Sequence, residues 1–110
     1  MTADAAGTYR FVDLAPHAHD VERLVVFYQG LYVAEFPDPD ERESLANMVR
    51  YLENDGAHGN AYIVTLVYDG ATVVAGAVAD YFIRSSCGAI EFLTVAPHAR
   101  ARGLGARLTA

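Results

Sequence analysis

Two long runs, Tyr62 to Tyr68 and Thr72 to Ile83, are rich in β-branched and aromatic residues and are separated by Asp69-Gly70. A break of that kind between strand-like runs is a hairpin signal, so the two runs read as antiparallel neighbours in one sheet. Alternation puts Tyr62, Val64 and Leu66 against Ile63 and Val67 on the first run. On the second it puts Val73, Ala75 and Ala77 against Val74 and Val78. All of these faces are largely apolar, which predicts a sheet covered on both sides. With 110 residues, 53% apolar and 20% charged, the chain has the balance of one compact domain and not of a disordered segment.

The cover for that sheet lies upstream. Thr8 to Leu14 reads as a first strand with Tyr9, Phe11 and Asp13 on one face. From Asp20, a plausible N-cap, Leu24, Phe27, Tyr28 and Leu31 fall at helical spacing. Phe36-Pro37-Asp38-Pro39 then ends the pattern, because each proline removes a donor and disfavours helix in its predecessor. Asp40 and Glu43 have capping-box spacing ahead of a second stripe, Leu45, Met48, Val49 and Leu52, which closes near Asn54-Asp55-Gly56. After the hairpin, Arg84 to Gly88 reads as a polar turn and Ala89 to Val95 as another strand. Pro97 stops that strand, and a helix starts around Gly103. The order is β-α-α-β-β-β and a helix start, an α/β (α+β) chain with a mixed, mostly antiparallel sheet flanked by helices.

Charge excludes several partners. The net charge is -6, with 11 acidic and 4 basic residues up to Gly56 and 3 acidic and 4 basic residues beyond it. Neither nucleic acid nor an anionic membrane surface would attract such a chain as a whole. No apolar run reaches the ~18 residues of a membrane span, and Met1-Thr2-Ala3-Asp4 lacks the start of a signal peptide, so a cytoplasmic setting is expected. The single cysteine, Cys87, rules out an internal disulfide and the usual structural zinc spacings. It reads as an unpaired structural thiol in a turn. His17 and His19 could share one face of an extended segment, but nothing nearby completes a metal site. His58 and His98 are isolated, and no metal is expected.

The chemistry-bearing stretch runs from Ile90 to Leu108, where a strand leads through Pro97-His98-Ala99-Arg100-Ala101-Arg102-Gly103-Leu104-Gly105 into a helix start. Backbone N–H groups at a helix start lack intrahelical acceptors and favour anions, and glycine lets a phosphate come close. Arg100 and Arg102 sit where the helix dipole alone would favour carboxylates, which makes sense beside an anion. No lysine follows the glycines as a P-loop requires, and Leu108 stands where a dinucleotide fingerprint wants glycine. The segment resembles the acetyl-coenzyme A signature of the GNAT N-acetyltransferase superfamily, Gln/Arg-x-x-Gly-x-Gly/Ala, through Arg100, Gly103 and Gly105. Leu93-x-Val95-x-Pro97 and the preceding order of elements are also similar to that family.

The resemblance implies a partial GNAT-like fold in which the backbone of Leu93, Thr94 and Val95 binds the pantetheine arm. Arg100, Ala101, Arg102, Gly103, Leu104, Gly105 and Ala106 would surround the pyrophosphate of acetyl-CoA. It implies direct attack of a primary amine, from a small molecule or a peptide, on the thioester, with a strand N–H polarising the carbonyl. A base must take the amine proton. Glu91 is the candidate, since alternation sets it on the face of Leu93 and Val95, and it could act directly or through one water. A solvated strand carboxylate is the plainer reading of Glu91. Asp80 and Tyr81 are secondary candidates, read otherwise as a strand-end carboxylate and a core aromatic.

The acidic cluster Asp38, Asp40, Glu41 and Glu43 lies where the resembling family often shapes its acceptor site. It could attract a cationic amine or merely open a solvated helix. The family continues beyond this point with further strands and another helix, so the chain reads as one domain over residues 1–110 lacking its C-terminal portion. Three readings follow: the N-terminal part of an acetyltransferase, a non-catalytic coenzyme A-binding module that completes its sheet by association, for instance as a homodimer, or an unrelated acidic α/β interaction domain.

Overall fold

The computed structural model describes residues 9–54, 60–82 and 87–108. Its centre is a four-stranded antiparallel sheet in the order β1-β2-β3-β4, formed by β1 (Tyr9–Asp13), β2 (Asn60–Asp69), β3 (Thr72–Phe82) and β4 (Cys87–Val95). The expected hairpin is β2–β3, and its turn works because Gly70 adopts φ 63°, a left-handed conformation open to glycine at little steric cost. Thr8 and Ile83, the outer ends of two expected strands, lie outside the described residues, as do Asp55, Gly56, His58 and Arg84 to Ser86. Cys87 does not sit in a turn: its backbone opens β4, opposite Phe82.

Both faces of the sheet carry a core. On one face, Tyr62, Val64, Leu66 and Val78 pack with Leu24, Phe27, Tyr28, Tyr32, Met48 and Leu52 of the helical layer. On the other, Val67, Val74 and Ala75 pack with Ala96, Ala99 and Leu104 from the segment after β4. This second cover is partial, since Ile63, Tyr81 and Ile90 remain exposed. Tyr81 is therefore not a core aromatic, because the segment after β4 covers the other end of that face.

The first helix, α1, begins as Ala18–Phe27, passes through a π-helical turn at Tyr28–Tyr32 and ends at Val33–Glu35. Asp20 is not its N-cap. It lies in the first turn, where its carboxylate accepts the Ala15 N–H at 2.7 Å and meets Arg23 at 3.2 Å. The wider π turn moves the next fully buried position from Leu31 to Tyr32, which simple helical spacing does not foresee. The second helix, α2 (Leu45–Glu53), is capped by the Ser44 hydroxyl, which accepts the Asn47 N–H at 3.1 Å. Asp40 has no part in that cap: it belongs to a short 3-10 turn, Pro39–Glu41, and donates its own N–H to the Asp38 carboxylate at 2.9 Å.

Close packing selects one glycine in the sheet. A Cβ on Gly76 would lie 2.5 and 2.7 Å from the Phe27 ring and 3.0 Å from Leu66, so only a glycine lets α1 seat Phe27 on β3. Phe27 in turn faces Phe92 of β4 at 6.3 Å, and Tyr32 lies 4.4 Å from the same ring. The helical layer is thereby fastened to β4, the strand that leads into the candidate site.

Candidate functional site

β4 is the last strand of the sheet, and among the described residues no strand pairs with its outer side. Which backbone groups face outward follows from the ladder, because in an antiparallel pair only alternate residues exchange hydrogen bonds with the neighbour. The Ala96 N–H donates to the Val74 carbonyl at 2.7 Å. With Val95 opposite Ala75 and Thr94 opposite Gly76, Thr94 turns its backbone inward to β3, while Leu93 and Val95 turn theirs to the open side. Of the three strand residues expected to contact a ligand through the backbone, two have the required direction and Thr94 does not. The Thr94 side chain is buried as well, and its hydroxyl has no hydrogen-bond partner among the described residues.

The pleat argument for Glu91 fails. Phe92 lies opposite Val78 but Ile90 lies opposite Ala79, so the register slips by one residue and Glu91 is the extra residue of a bulge. The bulge takes Glu91 out of the alternation with Leu93 and Val95, and its side chain is exposed. Asp80, opposite Ala89 on β3, is half-buried, and burial raises its carboxyl pKa above the usual value.

Past Val95 the chain forms a 3-10 segment, Pro97–Arg102, then Gly103, then the short helix α3 (Leu104–Leu108). Three small or apolar side chains pin this loop to the sheet: Ala96, Ala99 and Leu104 are buried against Val67, Val74 and Ala75. Of the residues expected near a pyrophosphate, Arg100, Gly103 and Ala106 face solvent, while Leu104 is buried and anchors the loop. Gly103 has φ 72°, and a Cβ there would meet nothing within 4 Å, so its requirement is conformational and the space beside it is open. The backbones of Ala101, Arg102 and Gly105 continue the same segment. Arg107 stacks over Phe11 of β1 at 4.3 Å and ties α3 to the far side of the sheet.

Arg100 has partners that the sequence does not announce. Its Nε donates to the Val95 carbonyl at 3.0 Å, and its Nη2 lies 3.5 and 3.4 Å from the Glu35 carboxylate oxygens at the end of α1. The α1–α2 connection is similarly cross-tied. Tyr28 donates its hydroxyl to the Glu43 carbonyl at 2.7 Å, and the Tyr32 hydroxyl accepts the Glu43 N–H at 2.8 Å, while burial raises the Tyr32 pKa. Arg42 donates to the carbonyls of Phe36 and Pro37 at 3.1 and 2.9 Å. Asp38, Asp40 and Glu41 are exposed and Glu43 is half-buried. Tyrosines four residues apart on a helix were the available signal for this clamp, but their common target is visible only in three dimensions.

A model of the acetyltransferase (GNAT) family matches residues 21–110, a span that contains the helical layer, the hairpin, β4 and the glycine loop. The chain belongs to this family. Solved structures give the same picture of the GNAT fold. An aminoglycoside acetyltransferase from an uncultured soil metagenomic sample, in complex with sisomicin, superposes with a TM-score of 0.71 at 15% identity, covering 94% of this chain. The same enzyme in complex with trehalose gives 0.70 at 16% identity, also over 94% of this chain. The chain spans 66% of the length of those structures. No curated protein matches it in sequence. Among the described residues, no group of three His, Cys, Asp or Glu side chains could hold a metal ion, and no helix is long and apolar enough to cross a membrane.

Proposed function

We propose that this GNAT chain binds acetyl-CoA along the outer side of β4 and transfers the acetyl group to the primary amine of a small molecule or peptide in the cytoplasm. The observation that carries the reading is the β4 edge: the Leu93 backbone groups and the Val95 N–H face outward, with the Val95 carbonyl held by Arg100, next to a loop whose glycine, Gly103, leaves open space beside its backbone. Pantetheine amides can exchange hydrogen bonds with such an edge as a further strand would, and the loop from Arg100 to Ala106 lies where the pyrophosphate would follow. The amine nitrogen forms a bond to the thioester carbon, the carbon–sulfur bond breaks, and coenzyme A leaves as the thiolate. An edge N–H stabilises the charge that develops on the carbonyl oxygen. The amine proton goes to a base. Glu91, exposed in the bulge beside Phe92, is proposed for that role directly or through a water, and the acidic residues around Glu43 for attracting a cationic acceptor.

The test is coenzyme A release from acetyl-CoA, read as free thiol in the presence of a panel of amines, aminoglycosides included. Amine-dependent release is expected, and Glu91→Gln should lower kcat with little change in cofactor affinity. Gly103→Val should weaken acetyl-CoA binding, since the substitution strains a left-handed residue and fills the space beside the loop. Undiminished affinity in that variant would remove the loop from the site. A second reading, a coenzyme A-binding module without catalysis, is favoured by the same unpaired edge, which a second copy of the chain could extend. A mass that doubles with concentration, together with binding but no turnover, would select it.

A further inference from the structure

The pair between Arg100 and Glu35 joins the two halves of the site, and its setting is unusual. Glu35 is the last residue of α1, at the negative end of the helix dipole, and no basic residue lies in that last turn. Its cationic neighbour is Arg100, which comes from the loop after β4. Arg100 is anchored through Nε on Val95, and its outer edge is turned to a carboxylate where an anion-binding loop would offer it to phosphate. The contact is long and exposed, with 54% of the Arg100 side chain and 38% of Glu35 open to solvent, so it is a pair that a better anion can displace.

We infer that Glu35 is a positioning residue that competes with the cofactor's phosphate for Arg100, so that cofactor docking exchanges one ion pair for another and leaves Glu35 without its counter-ion. The inference rests on the coenzyme A reading above. Glu35 then lowers the affinity for an anionic ligand in two ways: it occupies the guanidinium beforehand, and its negative charge repels the bound anion afterwards. The exchange also links the cofactor loop to the end of α1, from which Phe36 and Pro37 lead into the segment held by Arg42 and by the two tyrosines on Glu43.

The experiment is calorimetric titration of the full chain with coenzyme A and with ADP, which has a pyrophosphate but no pantetheine, at low and high salt. Glu35→Gln should bind both ligands about three- to fivefold more tightly at low salt, the scale of one exposed ion pair, and the gain should shrink at high salt. Glu35→Asp, which keeps the charge, should remain near the wild-type affinity. On an Arg100→Gln background, Glu35→Gln should gain less than about twofold, since the competition has lost its object. Thermal melting of each variant confirms that it is folded. Equal or weaker binding by a folded Glu35→Gln, or a gain undiminished on the Arg100→Gln background, overturns the exchange while leaving the coenzyme A reading intact. Failure of the wild-type chain to bind either ligand overturns both.

Discussion

Single residues decide how closely the layers approach. Gly76→Ala should destabilise the protein by about 1–3 kcal/mol in denaturant unfolding, because the new methyl group meets the Phe27 ring at 2.5 Å and neither β3 nor α1 can yield easily. Asp80 gives a pH-dependent effect. Burial raises its pKa in the folded state, so the folded protein holds that proton more tightly than the unfolded chain does. Its relative stabilisation is complete below the unfolded value and is lost as pH rises through the raised folded value. Asp80→Asn should therefore raise the melting temperature at neutral pH and give no advantage near pH 3. Neither effect was legible in the sequence, where Gly76 is one more small residue in an apolar run and Asp80 ends a strand. Gly70 and Gly103 were legible, because turn and loop chemistry names glycine locally.

At the level of elements, what could be read was whatever depends on near neighbours in the chain. The hairpin at Asp69-Gly70, the stripe Leu45, Met48, Val49 and Leu52, and the break at Pro37 and Pro39 all follow from periodicity and turn residues. The π turn in α1, the Ser44 cap and the bulge at Glu91 did not. Each is settled by what the element packs against: the tyrosine clamp on Glu43, the 3-10 turn preceding α2, and the register with β3. The loop after β4 owes its place to packing too. Leu104→Ala should cost about 2–5 kcal/mol on the scale of a buried leucine, and should weaken coenzyme A binding by loosening the loop. Unfolding by denaturant and titration of the same variant separate the two effects.

For the molecule as a whole, the fold is a sheet sheltered by helices on one face and by the post-β4 loop on part of the other, and no strand among the described residues pairs with the β4 edge. The sequence carried the family signature at Arg100, Gly103 and Gly105, and with it the region of the proposed cofactor site. It could not give the direction of each edge group, since that depends on a pairing register set by Ala75 and Gly76 in another strand. Nor could it join Glu35 to Arg100 across 65 positions of chain. The proposed cofactor site stands or falls on the β4 edge. Residue-resolved amide hydrogen exchange, with and without saturating acetyl-CoA, tests it directly. Bound ligand is expected to slow exchange at Leu93 and Val95, whose N–H groups face outward, and to change Thr94 little, since its N–H is already turned to β3. Unchanged exchange at Leu93 and Val95 in the presence of the ligand would contradict it.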